Sequence, residues 1–190
     1  MEIIRDPRIP AIRLIRPKRH GDARGYFAEV YRVDKAAAAG LPAFVQDNHA
    51  LSQSAGTLRG LHFQIGAAAQ AKLVRCLRGR ILDVAVDLRH GSPTFGAHVA
   101  YELSAENGDQ LYIPAGFAHG YCTLEPDTEI TYKVSAYYDA SADKGLTFDD
   151  PALKIAWPVA ADLAVLSAKD RALPKLAELP AYFSYAQHRD

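Results

Sequence analysis
Cysteine is scarce in this chain. Cys76 and Cys122 are the two it has, both lie inside apolar runs, and no CxxC occurs, so no disulfide framework is expected and both thiols read as small, reduced core filler in a cytoplasmic protein. An excess of either charge is missing as well. The 22 Lys and Arg balance 22 Asp and Glu, which argues against the basic stripe of a nucleic-acid binder and means that any anionic ligand must be met by a local cluster. No apolar run approaches the ~20 residues of a membrane helix, and the opening Met1-Glu2-Ile3-Ile4-Arg5-Asp6-Pro7 carries no apolar stretch of the signal-peptide kind. The expectation is a soluble, unexported protein without a membrane partner. Internal repeats, low-complexity tracts and linkers are absent too. With 49% hydrophobic residues over 190 positions, the chain is long enough for one well-buried core and short for two, so residues 1–190 are expected to form a single domain.

What is present is a succession of short strand signals. Ile9 to Ile15 reads as a strand with Pro10 near its start, where a missing N–H is tolerated. His20 to Gly25 reads as a turn, Tyr26 to Arg32 as a second strand carrying Glu29, and Asp34 to Gly40 as a short helix with Asp34 at its N-cap and Gly40 at its stop. Segments 44–50, 58–64, 71–77, 81–88, 97–103, 110–113, 119–124 and 129–134 then carry strand character, punctuated by Gly, Pro, Asn and Asp rather than by helical stretches. That pattern predicts an all-β fold, a jelly-roll β-barrel with short flanking helices. The barrel core is expected over residues 9–138 and a less regular C-terminal appendage over 139–190, with a helix starting at Ser167.

Several residues carry two readings. Arg59-Gly60-Leu61-His62-Phe63-Gln64 sets a permanently charged guanidinium beside an imidazole that can accept a proton at neutral pH, a pairing suited to a phosphorylated substrate with an acidic C–H. The same residues also suit a core strand whose Arg reaches out to water. Tyr132 shares a face with Ile130 and Val134, either as a core phenol or as a proton donor to an enolate. Lys72 alternates with Val74 and Cys76, so its ammonium either enters a barrel to stabilise an oxyanion or reaches water from a strand end. Asp170 either completes a capping-box variant begun by Ser167 or accepts the second ring N–H of His62.

Pro114-Ala115-Gly116-Phe117-Ala118-His119 matches P-x-G-x-x-H, the second half of the signature of cupin barrels. The first half, H-x-H followed by Glu, is missing, because the corresponding place reads His62-Phe63-Gln64. A metal-free barrel follows, in which His119 is a ligand-binding residue or a hydrogen-bonded strand-end histidine.

Taken together, Gly21-Asp22-x-Arg24-Gly25-x-Phe27-x-Glu29, Phe44-Val45-Gln46-Asp47-Asn48-His49, Arg59 to Gln64, Lys72-Leu73-Val74-Arg75, Ser92-Pro93-Thr94-Phe95-Gly96, Ile113-Pro114-x-Gly116-Phe117-Ala118-His119-Gly120 and Tyr132-Lys133 resemble the dTDP-4-dehydrorhamnose 3,5-epimerase family. The resemblance implies a cofactor-free cupin-type barrel, commonly a homodimer, that epimerises dTDP-4-dehydro-6-deoxy-D-glucose at C3 and C5. It implies His62 as base, Asp170 as its partner, Tyr132 as opposing acid and Lys72 as enolate stabiliser. Arg59 and His119 would line the same pocket. Arg24, Glu29, Gln46, Asn48, Tyr138 and Lys169 would bind nucleotide or sugar, some of them for a neighbouring subunit, and Asp143 would do so where relatives carry Glu.

Strict alternation puts Arg59 and His62 on opposite faces, so the implied pocket requires a bulge or bend at Gly60. Two other functions fit the residues: epimerisation at one carbon or ketoisomerisation of a related dTDP-sugar, and a non-catalytic sugar-nucleotide-binding barrel. The complete set of candidate acid and base residues counts against the last.

Overall fold
The computed structural model describes residues 1–187. In chain order its elements are β1 (Glu2–Arg5), β2 (Arg13–Arg16), β3 (Arg19–Asp22), β4 (Gly25–Ala28), α1 (Val33–Ala38), β5 (Gln46–Ser52), β6 (Leu58–Gln64), β7 (Lys72–Arg78), β8 (Arg80–Asp87), β9 (Arg89–His90), β10 (His98–Ser104), β11 (Gln110–Ile113), β12 (Phe117–Thr123), β13 (Thr128–Val134), β14 (Asp143–Gly145), α2 (Ala168–Arg171) and β15 (Phe183–Ser184). A six-stranded sheet in the order β1-β2-β11-β7-β13-β5 faces a five-stranded sheet in the order β10-β8-β12-β6-β14. This is the cupin-like jelly roll that the turn-punctuated strands predict.

The alternation of each strand decides what fills the barrel. Val74, Cys76, Leu111 and Ile130 point inward from the larger sheet and meet Ile81, Ala85, Val99, Leu103 and Phe117 from the smaller one. The smaller sheet is also covered outside, where Leu61, Phe63, Val84, Val86 and Ala118 pack against Leu146, Leu153 and Phe183 of the C-terminal segment. Burial on both faces explains why β8 and β12 read as nearly continuous apolar runs rather than as alternating ones. Ala36 of α1 and the following Leu41 cover Ile15, Leu73 and Tyr112 on the outside of the larger sheet. Both cysteines are free and buried, and burial pushes each thiol up to about 11, so they are inert filler. Among the described residues, no helix is long and apolar enough to cross a membrane.

Local differences from the sequence reading have identifiable causes. The expected strand at Ile9 begins at Arg13 instead, because Asp6 Oδ1 accepts the backbone N–H groups of Arg8 and Ile9 at 2.8 Å each and ties residues 6–12 into a turn. The expected turn at His20 to Gly25 is mostly strand: β3 and β4 form an exposed hairpin outside both main sheets, and Glu29 falls just beyond its end. Helix α1 begins after Arg32 rather than Asp34, without a side-chain cap. The Asp34 carboxylate is turned instead to the Arg32 guanidinium at 2.6 Å, while Gly40, at φ 72°, provides the predicted stop. Beyond residue 138 the chain returns to the barrel, since β14 adds an edge to β6.

Candidate active site
At one end of the barrel the inward positions turn from apolar to polar. Two adjoining cavities of about 280 Å³ each open there, and both are lined by His62, Lys72 and Tyr132. His62 comes from the five-stranded sheet, whereas Lys72 and Tyr132 come from the six-stranded sheet opposite. The imidazole therefore faces the phenol and the ammonium across a gap.

The bulge that the implied pocket requires is present in β6. Arg59 pairs with Tyr121 and His62 with His119, so two residues, Gly60 and Leu61, stand opposite the single Gly120. The extra residue cancels the alternation and brings Arg59 and His62 to one cavity. Both glycines are obligatory here. A Cβ on Gly60, whose φ is 124°, would sit 2.6 Å from the Gly120 Cα, and one on Gly120 would sit 2.7 Å from the Arg59 carbonyl oxygen.

His62 Nε2 lies 2.5 Å from Asp170 Oδ1. With that ring nitrogen donating to the carboxylate, the free lone pair is on Nδ1, the tautomer a base needs. Both roles foreseen for Asp170 occur at once: its backbone N–H donates to Ser167 Oγ at 3.1 Å, so Ser167 is the α2 cap, while its carboxylate holds His62. Burial works to raise the Asp170 carboxyl but is outweighed by the His62 hydrogen bond and charge, and the net position is below the ordinary carboxylate value.

Lys72 is 8% exposed, and its Nζ donates to the His62 carbonyl oxygen at 3.2 Å. It does not reach water from its strand end. Desolvation lowers its pKa to about 8 against the pull of Asp83 and Asp143, leaving an ammonium that is easily deprotonated above neutrality. Tyr132 packs against the barrel core at its inner end, and burial raises its phenol above the usual value in spite of Arg59 nearby. It stays protonated at neutral pH.

Seven of the remaining predicted residues divide into two groups. Arg59, His119 and Lys169 line one cavity, and Gln46, Asn48, Tyr138 and Asp143 the other. Arg59 is oriented by Ser52 Oγ at 3.3 Å and the Leu51 carbonyl at 3.2 Å. Gln46 Nε2 donates to Asn48 Oδ1 at 2.8 Å, and its Oε1 accepts from the Tyr138 backbone at 3.1 Å. Asp143 accepts from Tyr138 at 3.1 Å and from the Lys169 ammonium, so this carboxylate links the walls of the two cavities. Arg24 and Glu29 do not join them. Arg24 sits at the hairpin tip, paired with Asp22 at 2.6 Å and 89% exposed in its side chain, and Glu29 pairs with Lys35.

Gln64, where the cupin pattern would continue its ligand set, is fully engaged. Its Nε2 donates to the carbonyls of Ala68 at 2.7 Å and Tyr137 at 3.1 Å, and its Oε1 accepts from the Asp139 N–H at 2.8 Å. It is a clamp on the Tyr137–Asp139 wall. No group of three or more His, Cys, Asp or Glu side chains able to hold a metal occurs among the described residues.

Sequence reasoning missed Gln70, Tyr121 and Asp83. The first two line the cavities, and Asp83 lies beneath, with Oδ1 2.7 Å from His119 Nε2. Alternation held the signal for Asp83, because it falls on the inward face between Ile81 and Ala85, where a charge is unexpected.

A cavity of this kind can take a proton from one side of a bound molecule and return one from the other while a cation waits for developing negative charge. Fold and cavity together fit the class of isomerases built on a cupin barrel. Comparison with known proteins narrows that class to one family. The dTDP-4-dehydrorhamnose 3,5-epimerase family model matches residues 6–178, and the chain belongs to that family.

Among its relatives, the dTDP-4-dehydrorhamnose 3,5-epimerase of Sinorhizobium fredii is 55% identical over 183 residues, covering 94% of this chain and 92% of the relative. The crystal structure of a dTDP-6-deoxy-D-glucose-3,5-epimerase from Legionella pneumophila, in complex with dTDP-4-keto-L-rhamnose, matches with a TM-score of 0.91 at 40% identity, covering 97% of this chain and 98% of that one. A 3'-monoepimerase from Streptomyces bikiniensis, in complex with dTDP-quinovose, matches at 0.88 and 33% identity over 98% of this chain and 96% of its own.

Proposed function
We infer that this enzyme epimerises dTDP-4-dehydro-6-deoxy-D-glucose at both C5 and C3, giving dTDP-4-dehydro-L-rhamnose. The observation that carries the reading is the opposition of His62, held by Asp170, to Tyr132 across a cavity that also contains the Lys72 ammonium. The C4 ketone acidifies the protons on its two neighbours. His62 takes the C5 proton through Nδ1, the C–H electron pair moves into a C4–C5 double bond, and the carbonyl pair becomes an enolate oxygen stabilised by Lys72. Tyr132 then delivers its proton to the opposite face of C5 as the carbonyl re-forms. After His62 releases its proton to solvent and the tyrosinate takes one up, the same exchange at C3 completes the reaction without net oxidation.

Arg59 and Lys169 supply positive charge for the diphosphate, and Gln46, Asn48, His119, Tyr138 and Asp143 hold the sugar and nucleoside. No metal or other cofactor enters this scheme, a reading supported by the amide of Gln64 being consumed by backbone groups. The hairpin carrying Arg24, with Phe27 72% exposed, suits a homodimer in which each chain extends Arg24 and Glu29 toward its partner's cavity. All of this belongs to one epimerase domain working in the cytoplasm.

Incubation with dTDP-4-dehydro-6-deoxy-D-glucose in deuterated water tests the reading. Two deuterons should enter the product, at C3 and C5. The resemblance to a 3'-monoepimerase gives the alternative a definite form, and a product that stops at one deuteron over long incubation would move the function to a single carbon. An absence of any exchange would remove the catalytic reading.

A further inference from the structure
We propose that Asp83, resting on the epimerase reading above, is a positioning residue of the site: its Oδ1 fixes the tautomer and orientation of His119, and its carboxylate stands behind the cavity wall that His119 shares with Lys72.

The contrast with Asp87 on the same strand motivates this. Asp87 and Asp83 lie at alternate positions of β8, and each is 0% exposed. Asp87 is saturated, accepting from Arg89 N, Nε and Nη2 at 2.9, 3.0 and 2.9 Å, from Ser92 Oγ at 2.7 Å and from Thr94 Oγ1 at 2.6 Å. That is how a carboxylate kept for architecture is satisfied. Among the described residues Asp83 makes one side-chain hydrogen bond, Oδ1 with His119 Nε2 at 2.7 Å, and its Oδ2 is buried without a partner.

A buried carboxylate that leaves half its acceptor capacity unused is costly, and such groups persist where their charge is needed. The need lies next to it. His119 stands opposite His62 on the adjoining strand, and His119 and Lys72 line the same cavity. Because His119 Nε2 donates to Asp83, its Nδ1 is left as an acceptor for a substrate hydroxyl. Desolvation lowers the His119 pKa and Asp83 opposes it, so the ring is neutral and the cation of the pair is Lys72.

Lys72 is lowered to about 8 by the same burial, with Asp83 and then Asp143 the groups that restrain the shift. The other ionisable groups of the cavities are otherwise committed. Asp170 is bound to His62, Asp143 to Lys169 and Tyr138, and Arg59 to the end of β5, while the phenols of Tyr121 and Tyr132 are raised by burial and carry no charge at neutral pH. Asp83 is left as the anion closest in function to the lysine.

The test is Asp83→Asn in the full-length chain, which keeps an acceptor for His119 and removes the charge. Exchange of dTDP-4-dehydro-6-deoxy-D-glucose in deuterated water is followed from about pH 6 to 10, the range over which a lowered lysine titrates. We expect kcat to fall by about 10- to 100-fold, less than the ~10²–10³ typical of deleting an oxyanion donor. The alkaline limb of kcat should move about one unit lower, since losing a neighbouring negative charge makes Lys72 release its proton sooner. A role confined to architecture would lower the melting temperature and the active fraction but leave that limb in place, which would overturn the proposal.

Should Asn not fold, Asp83→Ser, with room for a water beside His119, carries the same measurement. If neither variant folds, Asp83 belongs to the scaffold and the proposal is lost. Failure of the unmutated protein to exchange at any pH would overturn the epimerase reading as well, whereas exchange in the parent with an unmoved limb in the variant overturns the assignment to Asp83 alone.

Discussion

At the scale of single residues, the candidate chemistry rests on what each side chain has lost or gained by leaving water. His62→Asn keeps a polar group of moderate size but removes the base, so dTDP affinity should survive in calorimetry while C–H exchange falls by ~10²–10⁴-fold. Comparable exchange in variant and parent would transfer the base role elsewhere. Tyr132→Phe should uncouple the two halves of the reaction: deuterium still enters, but with retained configuration, because His62 returns what it removed and nothing acts from the other sheet. Full inversion by that variant would make Tyr132 a core residue. Lys72 predicts a pH dependence. An ammonium with pKa about 8 is present below that value and lost above it, so kcat should decline as pH rises through about 8. A flat profile to pH ~10, the unperturbed lysine range, would contradict the enolate-stabilising role. These residues could be picked out from the chain, but their two readings could not be separated there. Alternation set Lys72 beside Val74 and Cys76 without saying whether the facing sheet would close over it.

At the scale of elements, the bulge in β6 matters most, because it turns a strand that would separate Arg59 from His62 into one that joins them. Gly120→Ala would drive a Cβ to within 2.7 Å of the Arg59 carbonyl oxygen, and backbone cannot move aside as a flexible side chain can. A loss of about 1–3 kcal/mol of stability is expected from chemical denaturation, together with ~10²-fold in kcat/KM from a displaced base. A variant that keeps both stability and rate would show that the close approach of Gly60 and Gly120 is dispensable. The need for this bulge followed from alternation together with the resemblance that assigns Arg59 and His62 to one pocket, since residues at odd spacing cannot share a face of a regular strand. Other elements were less legible. The β3–β4 hairpin was read partly as a turn because Gly21, Asp22 and Gly25 are turn formers, yet strand pairing accommodates them. The Asp34 cap gave way to an Arg32 ion pair, a local competition that capping preference alone does not decide.

At the scale of the whole molecule, the proposed independence from a cofactor and the proposed homodimer are both open to direct measurement. Prolonged chelation should leave turnover unchanged, and restoration of lost activity by added zinc, iron or manganese would point instead to a metal barrel. Arg24→Ala should raise KM with little change in kcat if the hairpin serves a partner's cavity, and sedimentation should find a dimer. A fully active monomer would confine the site to the cavities of one chain. Each outcome bears on how the barrel is used and leaves its architecture untouched.

The sequence by itself determined the all-β barrel and most of the candidate side chains, because strand alternation, turn chemistry and short motifs are written within a few residues of one another. The tertiary structure decided what those side chains are. His62 meets Asp170 across 108 positions of chain, and Lys72 is desolvated by a sheet to which it does not belong. Asp83 acquires its significance from His119 on the neighbouring strand, while Arg24 and Glu29 are carried away from the cavities by a hairpin. Register, burial and the distance between charges are properties of packed neighbours, and they fix protonation states that no local pattern of residues can specify.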